Sequence, residues 1–422
     1  MPDIRGFKGI RYNPEKIKKF ADVITQPYDQ ISDEMEKDYK RRSPYNFVNL
    51  VLTKYSEGHD RTKEYEHAWQ CVSAWQKDGV FIQDDRPALY PYYQEFSIGN
   101  KMYLRKGFFT ALRLQELGTG GILPHEKTLS KPKEDRMSLT RKTKKDFEPV
   151  FLLYEDPKNA VMDLIEKECG KPPLADVTDE NKVSHKLWRI DDPGLIGQIA
   201  GLLRETTFVI ADGHHRYETF YTYSRELADL PPDHPARYKM IVLVNVQDPG
   251  LVILPTHRLI KGLPKFSLEC LVDEAKTYFR IHPVDKKFMG RELEKEKSHT
   301  FGVYGKGGSY IFKLNSLKIL EKLIPDRSAG YRQLDTAILQ AVLFEKVLGI
   351  APGAIEDHVK YERGIEATMT KVDRGEFQFA FLLNPTRPDQ VLDVAAHAER
   401  MPQKSTDFFP KLISGLVFCD IS

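Results

Sequence analysis

The sequence of 422 residues has few cysteines, and none lies in a pattern typical of a metal or disulfide site. The four, Cys71, Cys169, Cys270 and Cys419, are far apart, and no C-x-x-C pair occurs. Their scarcity argues against a zinc ribbon or a disulfide framework, and it fits a reducing compartment. We therefore predict that the four cysteines are buried free thiols.

Long apolar segments are also missing. The N-terminal stretch MPDIRGFKGIRYNPEKIKKF lacks the apolar centre of a signal peptide. No window of about 18 uncharged apolar residues, the length needed to span a bilayer, occurs in the sequence. We expect a cytoplasmic protein with no membrane partner.

An excess of charge of one sign is the third missing feature. Lys and Arg total 63 and Asp and Glu total 61, which gives a net charge of +2. Such a balance gives no electrostatic reason to expect duplex nucleic acid as the main partner. We find no helix-turn-helix pattern and no basic face either, so a nucleic-acid partner is not expected.

What remains is typical of a globular α+β protein. Helix-like and strand-like segments alternate, with β-hairpins predicted at Gly99 and Asn100 and around 305–308, and the strongest helical pattern runs through LDTAILQAVLFEKVLGI. At this length the chain is expected to divide into two or three domains. Turn residues near 261–265 mark one boundary. We predict an N-terminal α/β region over 1–115 that ends in a hairpin, a core over 116–262, and a C-terminal α+β region over 263–422.

The stretch FVIADGHHRYETF, residues 208–220, carries the most chemistry. An apolar strand is followed by a turn of Asp212, Gly213, His214, His215 and Arg216, and a helix is predicted to follow. Helix N-termini attract anions, glycine lets the backbone approach a ligand, and arginine can bind phosphate through two nitrogens. The aspartate is suited to a divalent metal such as Mg²⁺.

Two other interpretations of this turn stay open. Asp212 could cap the helix while the two histidines serve only as hydrogen-bonded structural groups. Zinc is the other option, but His214 and His215 are sequential and no H-x-x-x-H spacing occurs.

A second group of polar residues lies in ILPHEKTL, where His125 and Glu126 follow a proline. A carboxylate beside a histidine at a turn could act as a general base toward a substrate hydroxyl. On its own, Pro-His-Glu is typical of an ordinary loop.

Three further stretches could complete a phosphate site. In KPKEDR, basic residues could close over a phosphate as a lid, or they could lie on a solvated helix. In LPTHRLI, a histidine and an arginine at a strand end could form a second phosphate contact or a structural ion pair. In PQKSTDFFPK, hydroxyl and lysine side chains suit phosphate or carboxylate, although the glycines of a P-loop are absent. The candidates in the three stretches are Lys131, Lys133 and Arg136, then His257 and Arg258, then Lys404, Ser405, Thr406 and Lys411.

The order LPHE, apolar strand, DGHHR, helix resembles the ParB/sulfiredoxin-like superfamily and, within it, the free serine kinases. This resemblance implies a nucleotide-binding core over the central region. It implies that ATP or ADP is the phosphate donor, that Mg²⁺ lies near Asp212, and that Glu126 is the base, with His125 beside it. The phosphate-binding residues carried over from the motif are Gly213, His214, His215 and Arg216.

Seven characteristic stretches are spread over nearly the whole length of the chain: RGFKGIRYNPEKI, VITQPYDQIS, RSPYNFVNLVL, LPHEKTLSKPKEDRMSL, ADGHHRYET, LPTHRLI and MPQKSTDFFPKLISGLV. On these stretches the chain is identified as a member of a bacterial and archaeal family named only as domain of unknown function number ten-fifteen.

We therefore predict a small-molecule kinase whose partners are a nucleotide and a small hydroxylated metabolite, L-serine first among them. Positioning and charge stabilisation would supply most of the rate. Two alternatives remain: a ParB-like nucleotide-binding regulator, and a metal-dependent phosphatase or nucleotide hydrolase that uses the same groups on water.

Overall fold

The structure is a computed structural model, and it describes residues 1–51, 61–126, 130–227, 229–264 and 266–422. It has the mixed α+β fold that the sequence predicts, with several sheets. The chain forms two compact units. The first comprises Met1–Pro124, Thr128–Val252 and Pro410–Ser422, and the second comprises His125–Lys127 and Ile253–Phe409.

These two units do not follow the three regions predicted from the sequence. Most of the predicted core lies in the first unit, but residues 125–127 and 253–262 belong to the second. The division into three regions therefore stays a prediction.

The first unit is built on a nine-stranded sheet. Two strand pairs are parallel and the others are antiparallel. In spatial order the strands are Ile122–Leu123, Phe208–Asp212, Val150–Tyr154, Tyr238–Asn245, Lys101–Arg113, Tyr90–Ile98, Ser184–Leu187 and Ala175–Thr178, with Ile4–Arg5 paired to Lys101–Arg113.

The central strands of this sheet are apolar because both of their faces are covered. All residues of Val150–Tyr154 and Tyr238–Asn245 are buried, as is usual for strands with elements packed on both sides. Alternate side chains such as Leu152, Phe208 and Ile241 share one hydrophobic core. The unit's helices are Asp33–Arg42, Val48–Val51, Thr62–Lys77, Ser130–Thr143, Ala160–Glu166, Pro193–Leu203 and His214–Glu226, with 3₁₀ turns at Phe20–Asp22, Tyr28–Gln30 and Pro235–Arg237.

Local signals in the sequence set several of these elements. The hairpin of Tyr90–Ile98 and Lys101–Arg113 turns at Gly99, which has φ +57, so the predicted Gly99 hairpin is confirmed. Asp192 accepts a hydrogen bond from the backbone N–H of Leu195 and thereby caps the helix Pro193–Leu203.

A smaller four-stranded sheet also belongs to the first unit. It brings Phe418–Asp420 beside Lys145–Asp146. Its strand order is Phe81–Gln83, Gly9–Tyr12, Phe418–Asp420, Lys145–Asp146.

The second unit contains a six-stranded sheet in which every pair is antiparallel. Its alternating side chains fill two cores, one containing Ile260 and Phe301 and the other Leu259 and Leu382. In spatial order the strands are Phe279–Pro283, Gly308–Leu314, Thr300–Gly305, Phe379–Leu383, Thr256–Ile260 and Val359–Arg363. The remaining short strands are Val252–Ile253 and Phe408–Phe409.

Helices pack on this sheet, and one differs from its prediction. The α-helix Asp335–Ile338 continues as a π-helix over Leu339–Val347, where a single α-helix was predicted. Because side chains are buried on most sides of this segment, tertiary packing can override the local preference for α-helix. The hairpin predicted around 305–308 is confirmed. The other helices are Leu268–Ala275, Met289–Glu296, Lys318–Leu323, Ala329–Arg332, Ile355–His358, Ile365–Asp373 and Pro388–Ala396, with 3₁₀ turns at Lys286–Phe288 and Pro352–Ala354.

Two predictions about composition can be compared with this fold. All four cysteines are free, but only Cys419 is buried, so the prediction of four buried thiols is wrong. Cys270 lies on an exposed face of an amphipathic helix, where packing does not cover it. Among the described residues, no single helix is long and apolar enough to cross a bilayer; one pair, Asp335–Val347 with Pro352–His358, passes on length and composition but is bent by 104°.

Candidate functional site

The DGHHR segment joins a buried strand to a helix in the first unit. Phe208–Asp212 is the strand, Gly213 stands at the N-cap with φ +92, and the helix His214–Glu226 begins at once. The turn is therefore shorter than predicted, because the two histidines and Arg216 already belong to the first helical turn. Gly213 adopts a left-handed conformation that other residues adopt only with strain.

Arg216 is buried beneath this turn and makes specific contacts. Its Nη1 donates to the carbonyl of Pro149 at 2.6 Å, and its Nη2 donates to Asp212 Oδ2 at 3.2 Å. Burial by itself would lower the pKa of Arg216, but Asp212, Glu148 and other acids raise it above its ordinary value. A methyl group added at Gly213 would lie 3.0 Å from the guanidinium. Glycine is thus required by both the backbone angle and the arginine.

Further cationic groups surround Asp212 and the start of the helix. Lys411 Nζ lies 4.0 Å from Asp212 Oδ1, and Lys133 forms an ion pair with Glu218. His214 is buried and His215 is half-buried. Burial and the nearby Lys133 lower the pKa of His215, which favours its neutral form.

An N-terminal segment that sequence reasoning left without a role lies in the same neighbourhood. The backbone N–H of Tyr28 donates to Glu148 Oε1 at 3.0 Å, and the Arg136 guanidinium lies 4.1 Å from the centre of the Tyr28 ring. Burial raises the pKa of Tyr28 to about 12. Asp29 acts electrostatically on both His215 and Arg216. The signal available in the sequence was the stretch QPYDQIS, which is polar and aromatic but has no recognisable spacing.

The predicted lid residues lie on the helix Ser130–Thr143. Arg136 is buried, and it donates to Asp135 and to the carbonyl of Val51. In this structure it is therefore engaged by protein groups. The side chain of Lys131 lies outside the described residues.

A buried ion pair supports the strand beneath the helix. Lys239 Nζ donates to Asp146 Oδ1 at 2.5 Å and to the carbonyl of Glu148 at 2.7 Å, and both side chains of the ion pair are almost fully buried. Burial raises the pKa of Asp146 and lowers the pKa of Lys239. The site in the first unit thus rests on compensated charge.

His125 and Glu126 of the LPHE segment lie in the second unit, where they meet the MPQKSTD loop, which we define as Met401–Asp407. His125 is fully buried, and its Nε2 lies 2.9 Å from Thr406 Oγ1. The Thr406 hydroxyl donates to Glu126 Oε1 at 3.4 Å, and that oxygen lies 4.0 Å from His125 Nε2. Glu126 is 30 % exposed. The two segments are about 280 positions apart in sequence, so no local pattern could have joined them.

Arg258 holds the same loop from the strand Thr256–Ile260. Its Nη2 donates to the carbonyl of Lys404 at 3.0 Å and its Nη1 to the carbonyl of Thr256, and its guanidinium lies 5.4 Å from the Tyr361 ring centre. Within the described residues it forms no ion pair with a carboxylate. Burial lowers the pKa of Arg258 to about 10. Lys404 has φ +55 and an exposed side chain.

His257 precedes Arg258 on this strand, and neighbouring strand residues face opposite sides of a sheet. Its Nδ1 accepts a hydrogen bond from the backbone N–H of Leu383 at 3.2 Å. Burial, together with the charge on Arg258, lowers the pKa of His257 to about 4. A shared phosphate contact by this histidine and arginine would need both faces of one strand.

The candidate residues therefore fall into two groups. The first unit holds Gly213 to Arg216 with Asp212, Arg136, Lys133 and Lys411, and the second holds His125, Glu126, His257, Arg258, Lys404 and Thr406. Within the described part of the chain, no group of three or more His, Cys, Asp or Glu could enclose a metal ion. The hard oxygen ligands of Asp212 suit Mg²⁺ held jointly with phosphates, since Mg²⁺ is often bound by one or two carboxylates.

Comparison with known proteins gives the following relationships. Among curated proteins, none matches the chain in sequence. A conserved hypothetical protein from Pyrococcus furiosus is 13 % identical with TM-score 0.35, over 70 % of this chain and 91 % of that one. A free serine kinase in complex with AMP is 13 % identical with TM-score 0.36, over 71 % and 88 %. SbnI from Staphylococcus aureus, truncated at its C-terminus, is 10 % identical with TM-score 0.36, over 72 % and 84 %.

The family comparison is more extensive. The model of the family described as "Protein of unknown function (DUF1015)" matches residues 4–337, well over half of the chain. The chain belongs to this family.

Proposed function

We propose that this member of the DUF1015 family is a small-molecule kinase. It transfers phosphate from ATP or ADP to a hydroxyl group of a free amino acid or similar metabolite, and L-serine is the first acceptor to test. The central region is proposed to be a ParB/sulfiredoxin-like nucleotide-binding core. The observation that carries the proposal is the left-handed Gly213 turn, which starts a helix whose buried Arg216 donates to Asp212, with Lys411 Nζ 4.0 Å from the same carboxylate.

The proposed phosphate site uses the surroundings of this turn. The N-terminus of a helix carries partial positive charge, and the backbone at Gly213 has no side chain to keep a phosphate away. Arg216 and Lys411 add positive charge on either side of Asp212. Nucleotide phosphates would meet these two cations and the start of the helix, and cationic groups of this kind stabilise phosphoryl transfer.

Asp212 would hold Mg²⁺ together with those phosphates. Its Oδ2 accepts from Arg216 and its Oδ1 lies near Lys411, so the carboxylate is kept in a defined position. When bound, the metal ion would neutralise phosphate charge.

Glu126 is proposed to accept the proton of the acceptor hydroxyl. It is partly exposed, and its position is fixed by Thr406 on one side. A general base must lie within hydrogen-bond reach of the proton that it removes, and the 30 % exposure of Glu126 leaves its carboxylate open to an approaching hydroxyl. The buried His125 would support it rather than meet substrate directly.

The test is phosphate transfer from ATP and from ADP, with Mg²⁺, to L-serine and a panel of hydroxylated metabolites. We expect transfer to one acceptor class, and Glu126→Gln and Asp212→Asn should each reduce it by about 10²- to 10⁴-fold. Glu95→Gln, on an exposed strand position, is the matched control and should leave transfer unchanged.

Two results would contradict the kinase proposal. Release of inorganic phosphate from the nucleotide without any acceptor would favour a hydrolase. Nucleotide binding that depends on Asp212 and Arg216, without turnover, would favour a regulator.

A further inference from the structure

We infer that Thr406 is a positioning residue for Glu126, and that it acts through a directed hydrogen-bond relay from His125. The inference rests on the proposed role of Glu126 as the base. It adds a residue whose part in the site could not be read from the LPHE motif, because Thr406 lies in the MPQKSTD loop.

The direction of the relay follows from the number of protons available. A threonine hydroxyl has one proton, and an ionised carboxylate can only accept hydrogen bonds. The Thr406 proton is directed to Glu126 Oε1 at 3.4 Å. Thr406 Oγ1 lies 2.9 Å from His125 Nε2, and because its only proton is directed to Glu126, it accepts from an Nε2–H group. The relay therefore runs from His125 through Thr406 to Glu126, and it selects the Nε2-protonated tautomer of His125.

The relay has a fixed buried end and a half-exposed end. His125 is 0 % exposed whereas Glu126 is 30 % exposed. The His125 ring has no contact with solvent. It holds the Thr406 hydroxyl, which in turn holds one oxygen of the Glu126 carboxylate. Holding a base in one orientation before substrate binds lowers the entropic cost of reaching the transition state.

The loop that supplies Thr406 is itself held at both ends. The backbone N–H of Met401 donates to the carbonyl of His125 at 2.8 Å. At the other end, Arg363 pairs with Asp407, with Nη2 2.7 Å from Oδ1. The first contact ties the loop to the residue beside Glu126, so the distance between Thr406 and Glu126 is set by backbone as well as side-chain bonds.

Three variants distinguish the effect of the Thr406 hydroxyl from the effect of weakening the MPQKSTD loop. Thr406→Val keeps the shape and removes the hydrogen bonds, whereas Thr406→Ser keeps the hydroxyl. Thr386→Val is the matched control, because the Thr386 hydroxyl donates to the carbonyl of Ser405 at 2.7 Å and so holds the same loop.

We expect Thr406→Val to lower kcat by about 10- to 100-fold and to change KM by less than about threefold. Thr406→Ser and Thr386→Val should each stay within about threefold of the unmodified protein. In a Glu126→Gln background, Thr406→Val should cause no further loss, because residues that act through one another are not additive. Equal losses in Thr406→Val and Thr386→Val would overturn the inference, as would full additivity with Glu126→Gln.

Crystal structures of the unmodified protein and of Thr406→Val give a readout that does not depend on activity. The relay predicts that Glu126 lies within hydrogen-bond distance of Thr406 and leaves this position in the valine variant. If no acceptor is phosphorylated, the proposed function fails, and these structures still decide whether Thr406 positions Glu126. A Glu126 side chain that keeps its position in Thr406→Val would overturn the relay whatever the activity.

Discussion

Buried cations have different partners near Asp212 and near Glu126. Near Asp212, three buried cations pair with acids: Lys239 with Asp146, Arg136 with Asp135, and Arg216 with Asp212. Near Glu126, the buried Arg258 donates to backbone carbonyls instead.

The pKa values reflect this contrast. The acids keep the pKa of Arg216 above its ordinary value despite burial, whereas burial lowers the pKa of Arg258 to about 10. Arg105, in the first unit, shares the second pattern: it donates to Gln94 and to the carbonyl of Pro410, and burial lowers its pKa to about 10. Burial therefore lowers the pKa of an arginine in either unit where uncharged oxygens are its hydrogen-bond partners.

The two kinds of partner imply different structural roles for the buried cations. A cation paired with an acid in the interior cannot lose its partner without leaving a buried charge. A guanidinium that donates to carbonyls holds the backbone in place. Arg258 does so for the loop that carries Thr406. Buried ion pairs thus hold the first site, whereas the second is held by hydrogen bonds to backbone carbonyls together with the partly exposed Arg363–Asp407 pair.

The largest expected effect comes from breaking the buried pair of the first unit. Lys239→Met should lower the free energy of unfolding by about 3–5 kcal/mol, because it leaves the Asp146 carboxyl buried without its cation. Adding Asp146→Asn, which retains an acceptor for the backbone N–H of Met240, should recover at least about half of the loss. Hydrogen exchange in the strand Tyr238–Asn245 measures both.

Lys186→Met is the control for this experiment. Lys186 also stands on a strand of the large sheet, but its pair with Asp176 is exposed and 3.8 Å long. Such a pair contributes about 0–1 kcal/mol, so the variant should behave almost like the unmodified protein. Similar losses in the two lysine variants would show that pairing is not what distinguishes the first site.

The stability of the second unit should instead depend on pH in two opposing ways. The pKa of His257 is lowered to about 4, so folding favours its neutral form, and the stability gained is present above about pH 6.5 and lost as pH falls toward 4. Burial raises the pKa of Asp335 to about 7. Its contribution to the stability of the fold is therefore present below about pH 4 and is lost as pH rises toward 7. In the unmodified protein these slopes largely cancel.

Removing one of the two groups should reveal the effect of the other. The free energy of unfolding should then change by about 3 kcal/mol between pH 4 and 7. Asp335→Asn should make the second unit less stable as pH falls, and His257→Gln should make it less stable as pH rises. Hydrogen exchange in the strands Thr256–Ile260 and Phe379–Leu383 reports this unit separately. Parallel pH curves for the two variants would contradict the assignment.

Local patterns in the sequence predicted much of the fold. The turn at Gly99 and the apolar strand before Asp212 were correct, since each depends on neighbouring residues alone. The helix at Asp335 was predicted in place but not in winding, because tertiary packing determines the π-helix of Leu339–Val347.

The candidate site was less accessible to sequence reasoning. Motif residues could be named singly, but their partners lie far away in the chain: Thr406 from Glu126, and Tyr28 from Glu148, 120 positions on. Hydrogen bonds of that range are set by topology, which side-chain periodicity does not encode. The roles of Glu126, Asp212 and the DGHHR residues accordingly stay predictions that the experiments above address.

Apart from the control variants, the smallest stability effect we expect, about 2 kcal/mol, concerns the turn itself. Gly213→Ala forces a left-handed conformation on alanine and places its methyl group 3.0 Å from the Arg216 guanidinium, which must then move. Gly79→Ala, at φ +69 with no atom within 4 Å, has the backbone cost alone, about 1 kcal/mol. Nucleotide binding measured by calorimetry should weaken at least about tenfold in Gly213→Ala, since Arg216 is displaced, and should not change in Gly79→Ala. Unchanged binding in both variants would remove the Gly213 turn from the proposed phosphate site and leave it as a structural link between strand and helix.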